Sequence, residues 1–252
     1  DLVRSRGLGD VYKRQGLVTT EHAKDVAALL GVLMRPRRLG WVVEQLTSLI
    51  GAEAARSLTD DLLSYRVLVP ATKPEVLLVG HGRLAAAVTA RLRECGLDVR
   101  TQARNEALSK FLLHSETWVP VAAVNTTAQL GELAALTRQR QGAVLPVTQV
   151  DARVVVGPVC ARPGPCPLCV RLYLLDRDPN WPVVEQRAPL SVQGDPVPAA
   201  AGAAFAAVAL RRLAGAPDPP GVSAPKPGAG VLTVVDPFAP TPVSTATLPP
   251  HP

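Results

Sequence analysis

Two cysteines separated by two residues, Cys166-Pro167-Leu168-Cys169, are the part of this 252-residue chain best equipped for chemistry. Thiolates at that spacing can turn both sulfurs toward one metal ion at about 2.3 Å, which is half of a tetrahedral zinc site. Three readings are open: half a structural zinc site, a redox dithiol, or two unrelated cysteines in a proline-rich loop. Redox is the weakest, because a thioredoxin-type pair opens a helix directly after a strand, whereas Pro163, Pro165 and Pro167 predict an extended, rigid loop. Cys95, Cys160 and the histidines His22, His81, His114 and His251 are scattered and form no second paired element. Zinc therefore leads, with Cys166 and Cys169 as structural ligands of a half-site expected to be empty or weakly occupied.

A second candidate is a glycine turn. The apolar run Val76–Val79 is followed by Gly80-His81-Gly82-Arg83-Leu84-Ala85 and then by Leu84, Val88 and Leu92 at helical spacing. Strand, GxGxxA and helix open a doubly wound nucleotide-binding sheet, with a phosphate approaching the helix N-terminus over the glycines. Gly80, Gly82 and Ala85 are the candidate cofactor-binding residues. However, the next strand, Leu97–Arg100, runs into Thr101-Gln102-Ala103-Arg104, with no acid at its tip for the ribose hydroxyls, and Asp98 lies inside the strand. The turn is read as a degenerate one kept for packing, and bound ATP is not expected. No nucleophile constellation emerges: His114 and Ser115 are sequence neighbours, which do not face each other productively, and there is no G-x-S-x-G elbow. Asp176 and Asp178 around Arg177 read as a solvated turn, and Trp181 as a packing anchor or partner contact.

The elements that must position these residues fall into segments. Residues 1–15, DLVRSRGLGDVYKRQ, have neither helical nor strand period and read as a non-native artefact outside the fold. Setting aside their four basic and two acidic residues lowers the formal net charge from +6 to +4, with arginines dispersed and no basic stripe, which argues against nucleic-acid binding. Residues 16–72 read as three short helices and a strand ending at Pro70, a winged-helix-like unit. Its last helix mixes Glu53, Asp60 and Asp61 with Arg56, which suits a peptide better than phosphates. Residues 73–252 read as an α/β domain with an Ala-rich helix from Ala199 to Leu213, a late strand Val231–Val235 and an irregular tail from Pro237. With 47% apolar residues a packed core is assured. No run of about 18 apolar residues suggests a membrane span, there is no secretory signal, and four cysteines with a metal-type pair point to the cytoplasm.

Gly157-Pro158, Pro163-Gly164, Cys166, Cys169 and the run Asp176-Arg177-Asp178-Pro179-Asn180-Trp181-Pro182, with the terminal Leu248-Pro249-Pro250-His251-Pro252, resemble a bacterial family. These are the ThiF-like, ubiquitin-activating-enzyme-like partner proteins of thiazole/oxazole-modified microcin (TOMM) biosynthesis, also called cyclodehydratase C or leader-peptide-binding proteins. The resemblance covers residues 17 to 252 and is most specific at 157–182 and 249–252. It implies a ThiF-like, Rossmann-like α/β sheet preceded by a winged-helix-like recognition unit truncated at its leading strands. It also implies a structural zinc whose second cysteine group follows a Pro-Pro-His-Pro stretch, a precursor leader peptide added as a strand to the first unit, and a YcaO-type ATP-dependent cyclodehydratase as partner. Working adenylating relatives carry an arginine-rich helix and aspartates at the phosphates, where residues 105–114 offer only Lys110. A non-catalytic partner subunit is thus the leading expectation, with a ThiF-like adenylating enzyme as the alternative and a nicotinamide-dependent oxidoreductase behind it. A homodimer is expected by fold-level analogy alone.

Overall fold

In the computed structural model, which describes residues 2–5, 22–33, 37–65, 67–70, 74–187, 194–219, 222 and 226–252, the chain divides into two units. One comprises residues 1–72 and 217–224, the other 73–216 and 225–252.

The larger unit is organised by β4 (Glu75–Val79), whose residues alternate between two cores. Val76 and Leu78 face one side with α4 (Arg83–Glu94) and α9 (Pro196–Leu213), while Leu77 and Val79 face the other with α5 (Leu108–Leu113) and α6 (Leu130–Thr137). A strand apolar on both faces is what a parallel sheet covered by helices requires. Four strands run parallel in the order β5 (Asp98–Thr101), β4, β6 (Val121–Val124), β7 (Val144–Val150). The sheet then continues antiparallel through β8 (Arg153–Val156), β9 (Val231–Val235) and β10 (Val243–Thr247).

The stripe Leu84, Val88 and Leu92 on α4 is fully buried, each side chain contributing about 1.5–3 kcal/mol relative to exposure. The Ala-rich helix begins three residues before its expected start, at Pro196, because Asp195 caps it by accepting from the Val197 N–H at 2.8 Å. It lies close on the sheet. A Cβ at Gly202 would stand 2.4 Å from Val154 Cβ, so the small-residue face sets the approach.

Two expectations are corrected in this unit. The proline-rich cysteine segment does not stay extended: Pro167 is the first residue of α7 (Pro167–Arg177), where its fixed φ and missing N–H suit a helix start. The tail after Pro237 is not irregular throughout, since Val243–Thr247 forms β10, paired residue for residue with β9.

The smaller unit holds α1 (Ala23–Val32), α2 (Leu39–Ile50) and α3 (Ala52–Ser64) around a core of Val26, Leu33, Val42, Leu46, Ala55, Leu58, Leu62 and Leu68. Its three-stranded antiparallel sheet has the order β2 (Arg37–Arg38), β1 (Leu2–Ser5), β3 (Leu68–Pro70). Residues 2–5, expected outside the fold, thus form its middle strand, where the edges of β2 and β3 offer unpaired backbone groups. The rest of residues 1–15 lies outside the described residues. No described helix is long and apolar enough to cross a membrane.

Candidate functional site

Cys166 is the extended N-cap residue of α7 and Cys169 its third helical residue, the first turn being closed by the Val170 N–H to the Cys166 carbonyl at 3.3 Å. This arrangement brings the two sulfurs to 3.5 Å. A disulfide requires about 2.05 Å. Two zinc–sulfur bonds of about 2.3 Å at a tetrahedral angle place sulfurs roughly 3.7 Å apart, so the pair fits one edge of a zinc tetrahedron. Desolvation by burial acts to raise the Cys169 pKa, but hydrogen bonds from the backbones of Cys166 and His251, from the Cys166 thiol and from its own backbone outweigh it and hold the pKa below the ordinary thiol value. A lowered thiol pKa favours the thiolate that a metal binds. Among the described residues no third cysteine, histidine or acid joins them to make a full ligand set.

The other cysteines do different things. Cys160 is buried in the α5–α6 core, its thiol directed to the Pro158 carbonyl at 3.5 Å. Burial pushes its pKa up strongly, and the charges of Cys166 and Cys169 push it further. Cys95 is exposed at the end of α4.

Sequence reasoning missed the residues that face Cys169 along the helix. Tyr173 and Asp176 follow it at i+4 and i+7, one face of α7. Against this face lies the segment after β10. Tyr173 Oη donates to the Pro250 carbonyl at 3.3 Å, and the His251 ring stands edge-on to Tyr173 with centroids 4.9 Å apart. His251 Nε2 meets Asp176 Oδ2 at 2.8 Å and Nδ1 meets the Pro252 carbonyl at 3.1 Å. Both ring nitrogens face acceptors, an arrangement the imidazolium satisfies by donating twice, and the hydrogen bond to Asp176 accordingly raises the His251 pKa. A helical period from Cys169 would have flagged Tyr173 and Asp176, but the prolines masked it.

The other side of α7 is braced. Arg171 Nε and Nη2 donate to the two Glu185 carboxylate oxygens at 3.0 and 3.2 Å, and Trp181 Nε1 donates to Oε1 at 3.1 Å. Glu185 is buried on α8 (Trp181–Arg187), and Trp181, half-buried, is tied to it by this hydrogen bond. Of the two aspartates expected in a solvated turn, Asp178 makes one, accepting from the Asn180 N–H at 2.9 Å, while Asp176 binds His251.

The glycine turn is where the sequence placed it, with Gly80 at φ 111° and Gly82 at φ 97° before α4. Ala85 is buried against the sheet. A Cβ on Gly80 would lie 2.0 Å from the Val124 carbonyl oxygen, so the room a side chain would fill is taken by the backbone of β6. Asp98 opens β5, at the end away from the turn. Glu106, near the other end, already accepts from the Ala103 N–H and lies 3.9 Å from Arg100. One polar atom here stands out: Thr126 Oγ1, just past β6 and beside Gly80, is buried without a hydrogen-bond partner.

No family model matches the chain, and no curated protein matches its sequence. Solved structures do. A heterocyclase in complex with substrate and cofactor matches over 99% of this chain at 17% identity with a TM-score of 0.56. A chain of the E. coli microcin synthetase McbBCD complex with pro-MccB17 bound matches over 98% at 13% identity with a TM-score of 0.55. The likeness is one of fold. This chain spans 38% of the heterocyclase chain and corresponds to 95% of the microcin synthetase chain. The expected α/β class therefore holds, built on a mixed seven-stranded sheet.

Proposed function

We propose that this chain is a non-catalytic subunit of azole-forming peptide maturation, which binds the leader of a ribosomal precursor peptide and presents core Cys, Ser or Thr residues to a YcaO-type ATP-dependent cyclodehydratase. The carrying observation is the fold likeness to the microcin synthetase chain, which runs through both units and nearly the whole of each chain. The leader adds as a strand to the small winged-helix-like unit, main-chain hydrogen bonds supplying affinity. Tethering makes each later encounter between core residue and partner active site intramolecular, so the subunit accelerates the reaction without contributing a reacting group. Cys166 and Cys169 contribute two thiolates to a structural zinc, which when bound ties α7 to the rest of its ligand set. A homodimer in the cytoplasm completes this reading.

The test uses a labelled leader peptide from a short Cys/Ser/Thr-rich reading frame beside the gene. Saturable binding to the chain, and loss of one water per cyclised residue only when chain, adjacent YcaO-type enzyme and ATP are combined, is the expected result. Cyclisation at full rate without the chain would sink the proposal.

Thr126 favours a second reading, adenylation at Gly80, Gly82 and Ala85, because its orphaned hydroxyl lies where a phosphate would approach. Saturable micromolar ATP binding lost in Thr126→Val would establish it. Silence in calorimetry removes it.

A further inference from the structure

We infer that Tyr173, Asp176 and His251 form a latch that seats the Leu248–Pro252 segment against the cysteine pair, with His251 acting as a positioning residue and not as a ligand. This rests on the proposed metal at Cys166 and Cys169.

Four observations converge on the latch. The segment is anchored upstream on the sheet, where the Leu248 N–H donates to the Gly230 carbonyl at 2.8 Å. It is then held by three contacts on one helix face: a phenol–carbonyl hydrogen bond, an edge-on ring contact and an imidazole–carboxylate hydrogen bond. Hydrogen bonding from the His251 backbone is also one of the causes that hold the Cys169 pKa down, which sets the seated segment beside the cysteine pair. Finally, Pro249, Pro250 and Pro252 flank His251, which limits the conformations lost on docking.

The ring cannot serve the metal in this arrangement. Nε2 is engaged by Asp176 and Nδ1 by the Pro252 carbonyl, so coordinating a metal would mean giving up one of these contacts. Its contribution is that of an outer-shell group, which orients a ligand and whose loss typically weakens metal affinity about 10–100-fold.

The experiment uses the whole chain, Co²⁺ as probe of the thiolates, and the His251 amide as probe of the segment. That amide is the only backbone N–H between Pro249 and Pro252, so its NMR exchange rate reports on the segment at that one position. Asp176 is largely exposed, and replacing it leaves the core intact. In Asp176→Asn and His251→Ala the amide at position 251 is expected to exchange about tenfold faster and the Co²⁺ dissociation constant to rise about tenfold. Asp176→Glu should recover both. Cys166→Ser should abolish the thiolate–Co²⁺ charge-transfer band while leaving the amide protected. Unchanged exchange in Asp176→Asn and His251→Ala overturns the latch. Faster exchange with unchanged Co²⁺ affinity overturns its positioning role. No charge-transfer band in the unaltered chain sinks the metal reading, and the positioning role with it, while the amide still reports whether the segment is seated.

Discussion

The glycine turn and the cysteine pair contrast in opposite senses. The turn has the whole spacing of a nucleotide motif, yet the space over Gly80 is filled by the Val124 carbonyl and the acid expected at the β5 tip is absent. The cysteine pair is half a motif, yet its sulfurs already stand at 3.5 Å, the helix bearing them holds the tail through Tyr173 and Asp176, and it is braced on its other side by Glu185. Completeness of a motif in the sequence and readiness of a site in space are therefore separate properties. A glycine can be required by a neighbouring strand as firmly as by a phosphate.

The sharpest way to break this contrast is Gly80→Ala. If packing holds the turn, a Cβ at φ 111° against a backbone carbonyl costs roughly 3 kcal/mol or more, read as a lowered urea midpoint with unchanged slope and no dependence on added ATP. A variant as stable as the parent would mean the turn is open and return it to ligand duty.

Next in size is Arg171→Ala, which leaves the buried Glu185 carboxylate with Trp181 as its remaining side-chain donor. A broken buried pair costs about 3–5 kcal/mol, and because Arg171 is itself about one-third exposed the expected loss is nearer 2 kcal/mol. Denaturation with the α7 thiols monitored by alkylation would show whether their spacing depends on the brace. Unaltered stability would remove the brace from the account.

The smallest effect concerns Cys160. Its folded pKa is raised above the unfolded thiol value near 8.5, so above about pH 8.5 the unfolded chain sheds a proton that the folded chain keeps. Stability should then fall as pH rises, by at most about 1.4 kcal/mol per pH unit, and Cys160→Ala should flatten the slope. Iodoacetamide should modify exposed Cys95 in the native chain and reach Cys160 only on unfolding. Rapid native alkylation of Cys160 would contradict its burial.

Where helices and strands bury one face or both, the sequence was legible. Leu84, Val88 and Leu92 mark α4 by spacing alone, and Val76–Val79 marks a doubly covered strand. Three features were not legible, each for a physical reason. Helix α7 was hidden because prolines discourage helix interiors but favour first positions, and only Pro167 stands in the helix. Strand β10, Val-Ser-Thr-Ala-Thr, has almost no buried face and so no alternation to read. The partnership of His251 with Asp176 spans 75 residues, and nothing local in the sequence encodes it.

That same edge strand bears on how the purified chain behaves. Asp236 N–H bonds to Pro242 and Leu248 N–H to Gly230, so the even-numbered residues of β10 face β9 and the backbones of Val243, Thr245 and Thr247 face outward. Among the described residues no strand pairs with that side, and β10 carries no charge to discourage one. Concentrated solutions should accordingly associate edge to edge, and Thr245→Lys is where solubility is most cheaply gained.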